Sequence, residues 1–307
     1  MNKMLTSRPK LPQHKRYRYS PISDRPDYHW PGNKRLAVWV ATNVEVFAFQ
    51  AGIGHDPTKL GEPQTQRNYA WRDYGNRVGI WRLFDLYEEF GLKSSCLINS
   101  YLYDYCPEVC DRIRKRGDEF VGHGRTNAEK QKGLWEEDER RLIEDVTATI
   151  EQYEGRKPKG WLGAAAAETN VTLDLLKEAG YTYCLDWPCD DQPIWLETRA
   201  GKILSVPYPL ELNDSGQLIH RQHATRDFCD MIVDQFDEMI NQCVHQPLVC
   251  CISLHPYLVG QPFRLPPLRR AFKHIMSHPN FDRVWLTTAE QIADYCYAMQ
   301  PGIIPGS

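Results

Sequence analysis

Two histidines stand directly after strand-like stretches of this sequence, where they could transfer protons. His255 follows the apolar run 248–252 within the tetrapeptide Ser-Leu-His-Pro, and Pro256 ends the strand because proline cannot donate to a sheet ladder. His123 follows the stretch 119–122 and lies between two glycines, which allow another group to approach closely. Imidazole has an unperturbed pKa of ~6.5, which suits proton transfer near neutral pH. Because α/β enzymes place their chemistry at the carboxyl ends of buried strands, both histidines are candidate catalytic residues.

Polar residues also follow the other strand-like stretches. Glu45 comes after the first, Arg125 and Asn127 come shortly after the third, and Glu168 and Asp186 follow the fourth and fifth. The carboxyl ends of parallel strands point to one face, so these side chains are expected to converge. Polar groups that are buried at strand ends cost free energy unless they are paired or used.

Each of these residues also has a structural interpretation. His255 could be a core residue bonded to a backbone carbonyl, and His123 could be part of a simple turn. Glu45 could be a surface carboxylate, and Asn127 could cap a turn. Arg125 could be solvated, or could hold a carboxylate or carbonyl oxygen. Glu168 and Asp186 could pair with buried arginines and stabilise the fold.

Strand-like and helix-like segments alternate along the chain, which predicts parallel strands joined by helical crossovers. The predicted strands cover 36–41, 95–98, 119–122, 160–167, 181–187, 248–252 and 283–286, with a hairpin over 194–206. The predicted helices cover 79–90, 107–116, 135–153, 170–179, 228–243, 268–277 and 289–295. A long loop is predicted from 45 to 74. About seven strands come close to the ~8 of a closed β/α barrel, so one α/β barrel domain is the favoured architecture.

Residues 1–35 are rich in proline, basic and aromatic residues and predict an extended N-terminal arm. We expect this arm to pack over its own barrel or over a neighbouring subunit. The predicted division of the chain is therefore an arm over 1–35 and a barrel domain over 36–307.

The composition describes an ordinary globular protein and excludes several function classes. The chain has 307 residues, a net charge of −3 and no basic excess, so no nucleic acid is expected as a partner. No apolar run approaches the ~20 residues that span a bilayer, and the amino terminus lacks a signal-peptide pattern, so no membrane partner is expected. The ten cysteines show no CxxC spacing and are expected to be reduced thiols in a cytoplasmic protein.

The order of these strand-end motifs resembles the polysaccharide-deacetylase (NodB-homology) superfamily. Within it, the sequence is most similar to the branch of metal-independent allantoinases and cyclic imide hydrolases. The resemblance extends from about 36 to 295 and is carried by the motifs 43–45, 122–127, 160–163, 167–169, 184–187, 190–193, 206–208 and 254–257. It implies a distorted β/α barrel and a hydrolase that cleaves a C–N amide bond in a small amide, imide or ureide, which in this branch is cyclic.

The sequence departs from the superfamily at two motifs that serve metal-dependent deacetylation. Those enzymes have an Asp-Asp pair after the first strand, where this chain has Val44 in the place of the base and Glu45 in the place of a metal ligand. They also have a His-x-x-x-His pair, which here is His123 followed by Asn127. Asparagine is a poor ligand for zinc. No cofactor is therefore expected; if a divalent metal such as zinc is bound, its ligands would be Glu45, His123 and Asn127.

The resemblance and the strand-end positions together suggest a role for each residue. Glu45 would be the base or would position a water molecule, His123 would bind the water or the carbonyl, and His255 would be the acid for the leaving nitrogen. Residues expected to bind substrate are Arg125, Asn127, Trp161, Glu168, Asp186, Trp187 and Tyr208. The three aromatic residues in this set are more typical of a core or a pocket wall than of chemistry.

Two other functions stay open at this point. One is deacetylation of an N-acetylated sugar polymer, and the other is a catalytically inactive barrel that binds a sugar or a partner protein. The expected partner is a small-molecule substrate, and the resemblance also implies a homo-oligomer.

Overall fold

Nine strands form one sheet in the computed structural model, which describes residues 12–50, 53–56 and 59–307. Two further strands form a separate antiparallel hairpin. In chain order the strands are β1 (Leu36–Val44), β2 (Ile53–Asp56), β3 (Lys59–Pro63), β4 (Ser94–Ile98), β5 (Glu119–Gly122), β6 (Gly160–Trp161), β7 (Tyr183–Cys184), β8 (Ile194–Thr198), β9 (Gly201–Ser205), β10 (Leu248–Leu254) and β11 (Val284–Leu286).

The nine-stranded sheet is curled and almost entirely parallel. Its strand order is β10-β1-β4-β5-β6-β7-β9-β8, and β11 pairs with β1 outside this path. Only β8 runs antiparallel to its neighbour. The sheet forms a half-barrel, which confirms the predicted distorted β/α barrel.

All nine residues of strand β1 are buried, which explains why its sequence is a nearly continuous apolar run. Leu36 and Val38 pack in the cluster between the sheet and the helices, and Ala37 and Trp39 pack in the cluster on the inner face of the sheet. Because the strand is covered on both faces, its sequence does not alternate between apolar and polar residues.

Ten helices cross between the strands or cover the sheet in the described part of the chain. They are α1 (Gln66–Tyr74), α2 (Ile80–Glu89), α3 (Leu102–Tyr105), α4 (Pro107–Arg116), α5 (Glu136–Glu154), α6 (Thr172–Ala179), α7 (Thr225–Gln242), α8 (Pro256–Val259), α9 (Leu265–Met276) and α10 (Ala289–Ala298). Among the described residues, none of these helices has the length and apolar character that a bilayer crossing requires.

The structure corrects three predicted segments, one of which is the strand predicted over 181–187, observed only over Tyr183–Cys184. The stretch 45–74, predicted as a loop, contains β2, β3 and α1. Helix α1 escaped prediction because its buried residues are polar, Asn68 and Arg72, so it has no apolar periodicity. The strand predicted over 160–167 has only two residues, and a helical turn over Ala164–Ala166 follows it.

The described part of the N-terminal arm, residues 12–35, packs against the same chain. Arg16 pairs with Asp174 at 2.8 Å, and Arg25 pairs with Asp190 at 2.6 Å. Trp30 is buried among aromatic rings of the last strand and helix. The division of the chain at 35/36 stays a prediction.

The turn Gly75–Gly79, which joins α1 to α2, packs directly on α8. A Cβ atom at Gly79 would lie 2.1 Å from the carbonyl oxygen of Pro256, and one at Gly75 would lie 2.8 Å from the backbone nitrogen of Tyr257. Only glycine allows two backbones to approach this closely. The contact therefore fixes α1 against the segment that follows β10.

We expect Gly79→Ala to lower the free energy of unfolding by about 1–3 kcal/mol, because the added methyl group would overlap backbone atoms of α8. Urea denaturation would measure the change. Gly216→Ala is the matched control, since its Cβ would meet nothing nearer than 3.5 Å. Equal stability of the two variants would show that α8 can move away at little cost.

Candidate functional site

Glu45 lies at the centre of the candidate site, directly after β1. Its carboxylate is buried, and its Oε1 accepts a 2.7 Å hydrogen bond from Nδ2 of Asn127. The same oxygen lies 3.5 Å from Nε2 of His255 and 3.7 Å from Nε2 of His123. The ends of β1, β5 and β10 thus bring polar residues to one carboxylate.

His255 is held on its other side by Asp214, whose side chain is fully buried. Oδ1 of Asp214 lies 2.6 Å from Nδ1 of His255, and Oδ2 accepts the backbone N–H of His255 at 2.7 Å. A carboxylate only accepts, so the Nδ1 atom of His255 carries a proton. The two bonds fix the ring so that its Nε2 atom faces Glu45.

His123 is held by the backbone of the next strand end. Its Nδ1 atom lies 2.8 Å from the carbonyl oxygen of Leu162. Because a carbonyl only accepts, Nδ1 is the donor, and Nε2 faces Glu45. Asn99 links the two strand ends: it accepts the N–H of Val46 at 2.8 Å and donates to the carbonyl of His123.

The electrostatics of the site favour an ionised Glu45 and a protonated His255. Burial would raise the pKa of Glu45, but the charges and hydrogen bonds of His255 and His123 outweigh it and hold the pKa well below its usual range. Burial would lower the pKa of His255, but Asp214 and Glu45 outweigh it and raise the pKa to about 10. His255 is therefore a proton donor at neutral pH.

Glu45, His123 and His255 line one cavity of about 510 Å³. This volume is in the range of pockets that hold small molecules. Other polar residues in its lining are Asn43, Arg72, Asn127, Asp186 and Tyr208.

Asp186 and Tyr208, both predicted to bind substrate, lie in this cavity. Oδ1 of Asp186 accepts the N–H of Gly163 at 2.9 Å, while its buried Oδ2 has no partner among the described residues. Burial raises the pKa of Asp186 to about 7, so protonated and ionised forms coexist near neutral pH. The hydroxyl of Tyr208 lies 2.7 Å from Oγ of Ser253 and donates to Oδ1 of Asn43 at 3.2 Å.

Asn127, which was also predicted to bind substrate, lines the cavity as well, whereas the four remaining predicted residues lie outside it. Arg125 is partly exposed and pairs with Glu129 and, at 2.9 Å, with Asp145. Trp161 is fully buried in the core, where its Nε1 donates to Gln131 at 3.1 Å.

Trp187 and Glu168 face the N-terminal arm instead of the cavity. Nε1 of Trp187 donates to Glu168 at 2.9 Å, and its ring packs edge-on against Tyr17 with the centroids 6.0 Å apart. Burial and the nearby Asp186 raise the pKa of Glu168. These contacts indicate a part in holding the arm.

Val44 does not share the cavity with Glu45. Its side chain is buried in the cluster between sheet and helices, because alternation along β1 turns it to the outer face. Asn43 is on the cavity side and donates to Oγ of Ser253 at 3.0 Å. Glu45 is therefore the carboxylate that this strand end supplies.

Sequence reasoning missed two residues of the site, Asp214 and Arg72. Asp214 lies in a short polar stretch with no strand or helix periodicity, so only its residue type marks it. Arg72 lies in α1, within the segment that was predicted as a loop.

The donors at Glu45 do not fit a three-ligand metal site. Among the described residues, no three His, Cys, Asp or Glu side chains are grouped to hold a metal ion. Asn127 turns its amide nitrogen to Glu45, and His255 is protonated and paired with Asp214. Glu45 and His123 alone remain, whereas zinc sites use at least three protein ligands.

The chain is similar to known proteins over nearly its whole length, although no family model matches it. A Schizosaccharomyces pombe protein described as "Putative polysaccharide deacetylase" is 26% identical over 314 residues, covering 92% of this chain and 95% of that protein. The crystal structure of Puue allantoinase is 26% identical, with a TM-score of 0.83, over 93% of this chain and 99% of that one. The structure of a "probable Polysaccharide deacetylase" from Pseudomonas aeruginosa PAO1 is 25% identical, with a TM-score of 0.80, over 90% and 95%.

We expect Asp214→Asn to lower the titration midpoint of His255 from about 10 by at least one unit, toward the unperturbed ~6.5, because it removes the charge bonded to Nδ1. NMR of labelled histidine would follow the ring through the titration. Asp237→Asn is the matched control, because Asp237 pairs with His274 at the surface at 2.7 Å. An unmoved midpoint in Asp214→Asn would mean that Glu45 alone holds the charge of His255.

Proposed function

We propose that this chain, which belongs to the polysaccharide-deacetylase superfamily, hydrolyses a C–N bond in a small, cyclic amide, imide or ureide. The observation that carries the proposal is the position of Glu45 between the Nε2 atoms of His123 and His255, beside a cavity of about 510 Å³. An ionised carboxylate, a histidine that faces it and a protonated histidine can supply the base and the acid that amide hydrolysis uses.

Glu45 and His123 together activate the water. Oε1 of Glu45 and Nε2 of His123 are 3.7 Å apart, which is too long for a direct hydrogen bond and leaves room for a water molecule to contact both. The water oxygen attacks the carbonyl carbon of the substrate, and its proton passes to this pair.

His255 is the acid for the leaving nitrogen. Its Nε2–H donates to the nitrogen as the C–N bond breaks, and Asp214 stabilises the charged ring before the transfer. In a cyclic substrate the ring opens, leaving a carboxylate at one end and an amide or amine nitrogen at the other.

Asp186 completes the site as a donor to the substrate carbonyl. Asp186 lines the cavity, its Oδ2 has no partner among the described residues, and its raised pKa of about 7 keeps a share of the carboxyl in the form that can donate near neutral pH. A neutral carboxyl that is held in place can stabilise the oxygen on which negative charge develops. Tyr208 and Asn127 fix the surrounding walls.

A small substrate fits the site better than a sugar polymer. The cavity is of small-molecule size, and the donors at Glu45 lack the ligands that metal-dependent deacetylation uses. The likeness to an allantoinase, an enzyme named for a cyclic ureide, supports the same class.

The compartment and the assembly of the protein also belong to this proposal. All ten cysteines lie in the described part of the chain and have free thiols, which suits a reducing cytoplasm. The homo-oligomer that the resemblance implies would be tested by light scattering.

We expect Glu45→Gln and His255→Gln each to lower kcat by about 10²- to 10⁴-fold, since each removes a proton-transfer group. Turnover would be measured on a panel of cyclic imides and ureides, with an N-acetylated sugar oligomer as the competing substrate. Glu211→Gln is the matched control, because Glu211 is an exposed carboxylate paired with Arg221 at 3.3 Å. Full activity in His255→Gln would end its role as the acid, and turnover of the sugar alone would favour the deacetylase.

We expect turnover to persist after dialysis against EDTA, because Glu45 and His123 are too few ligands to hold zinc. Activity would be compared before and after dialysis, and again after zinc is added back. Activity that is lost on chelation and restored by zinc would overturn the metal-free mechanism.

A further inference from the structure

Arg72 is a buried cation that lacks an anionic partner in the described structure. Its side chain is 5% exposed, and its Nε is buried without a hydrogen bond. Its one hydrogen bond to the described residues is a long contact of 3.4 Å from Nη1 to the hydroxyl of Tyr257. No described carboxylate lies within 4 Å of its guanidinium. Because Arg72 also lines the cavity, its guanidinium can serve a ligand that binds there.

The two other buried arginines of the described chain are paired. Arg35 lies 2.8 Å from Asp27, and Arg116 lies 2.6 Å from Asp118. A buried charge without a partner costs several kcal/mol, so such groups are normally paired or serve a ligand. Arg72 departs from this pattern inside the cavity that holds the catalytic residues.

Aromatic rings next to the catalytic residues hold Arg72 in place. Its Cζ lies 4.0 Å from the ring centre of Phe47, two residues after Glu45, and 5.1 Å from that of Tyr257, two residues after His255. These cation–π contacts support the guanidinium beside the strand ends. The position of Arg72 is thus coupled to the strand ends that carry the chemistry.

We propose that Arg72 binds a carboxylate of the substrate, so that the natural substrate is an anionic cyclic imide or ureide. This inference rests on the proposed function and adds the substrate class. A carboxylate matches the guanidinium edge with two parallel hydrogen bonds and supplies the missing charge. Glu45 repels a second carboxylate, so the anionic group lies at Arg72 while the scissile carbonyl lies at Glu45, His123 and His255.

Hydantoin-5-acetate and hydantoin-5-acetamide test the proposal, because they differ only in the charge of one side group. Hydrogen bonds to charged groups contribute about 1.5–3 kcal/mol, so the wild type should favour the carboxylate about 10- to 150-fold in kcat/KM, mainly through KM. Arg72→Gln should bring that ratio close to one. Arg77→Gln, an exposed arginine in the adjoining turn, should leave it unchanged.

Binding measured by calorimetry separates this inference from the proposed function. If the wild type opens neither ring, the proposed function fails for ureides, but tighter binding of the carboxylate that disappears in Arg72→Gln would still support the site. Equal binding of both compounds, or a preference that survives in Arg72→Gln, would overturn it. Because the preference is first measured in the wild type, a variant that fails to fold does not remove the test. Arg72→Lys, which keeps the charge but loses the planar edge, should retain part of the preference.

Discussion

The buried carboxylate of Glu45 is the constraint on which the rest of the site depends. An ionised carboxylate at this depth costs several kcal/mol unless nearby groups compensate it. Compensation comes from Asn127 and His123 at the end of β5 and from His255 at the end of β10. Strand β1 pairs directly with β10 and reaches β5 through β4, so the register of three strand pairs sets these distances. A slip of one residue in β1 would turn Glu45 to the outer face and leave the two histidines without it.

The charged groups of the site alternate in sign from Glu45 through His255 to Asp214. Glu45 is balanced by His255, and His255 is balanced by Asp214, which contributes two hydrogen bonds from a fully buried position. Because the charges alternate, His255 is protonated and Glu45 is ionised at neutral pH. Both protonation states that the proposed hydrolysis requires therefore exist before substrate binds. At the two positions that depart from the deacetylase motifs, a valine at 44 packs in the outer core and an asparagine at 127 donates to Glu45.

The sequence predicted the parts of the fold that depend on apolar pattern and on strand ends. Buried strands read as apolar runs, and Glu45, His123 and His255 stood out because they follow such runs. Asp214 and Arg72 could not be found in this way. Asp214 acts through a hydrogen bond across 41 positions of sequence, and Arg72 lies in a helix whose buried face is polar. Trp161 is a residue that the sequence wrongly suggested for the site. It lies within a predicted site motif, yet its side chain is buried in the core. The position of a residue in a motif does not fix the direction of its side chain.

Chemistry and recognition come from different parts of the chain, and the contact between Gly79 and Pro256 joins them. The strand ends carry Glu45, His123 and His255, to which we assign the proton transfers, and the half-barrel fixes them. Arg72 comes from α1, in the segment between β1 and α2, where nothing in the sheet determines its position. The close backbone approach of Gly79 to Pro256 fixes that segment one residue beyond His255. Arg72 therefore cannot shift relative to the acid without opening this contact. Substrates would accordingly be selected by the distance between their carboxylate and their scissile bond, and lengthening that distance by one methylene should weaken binding at one of the two ends.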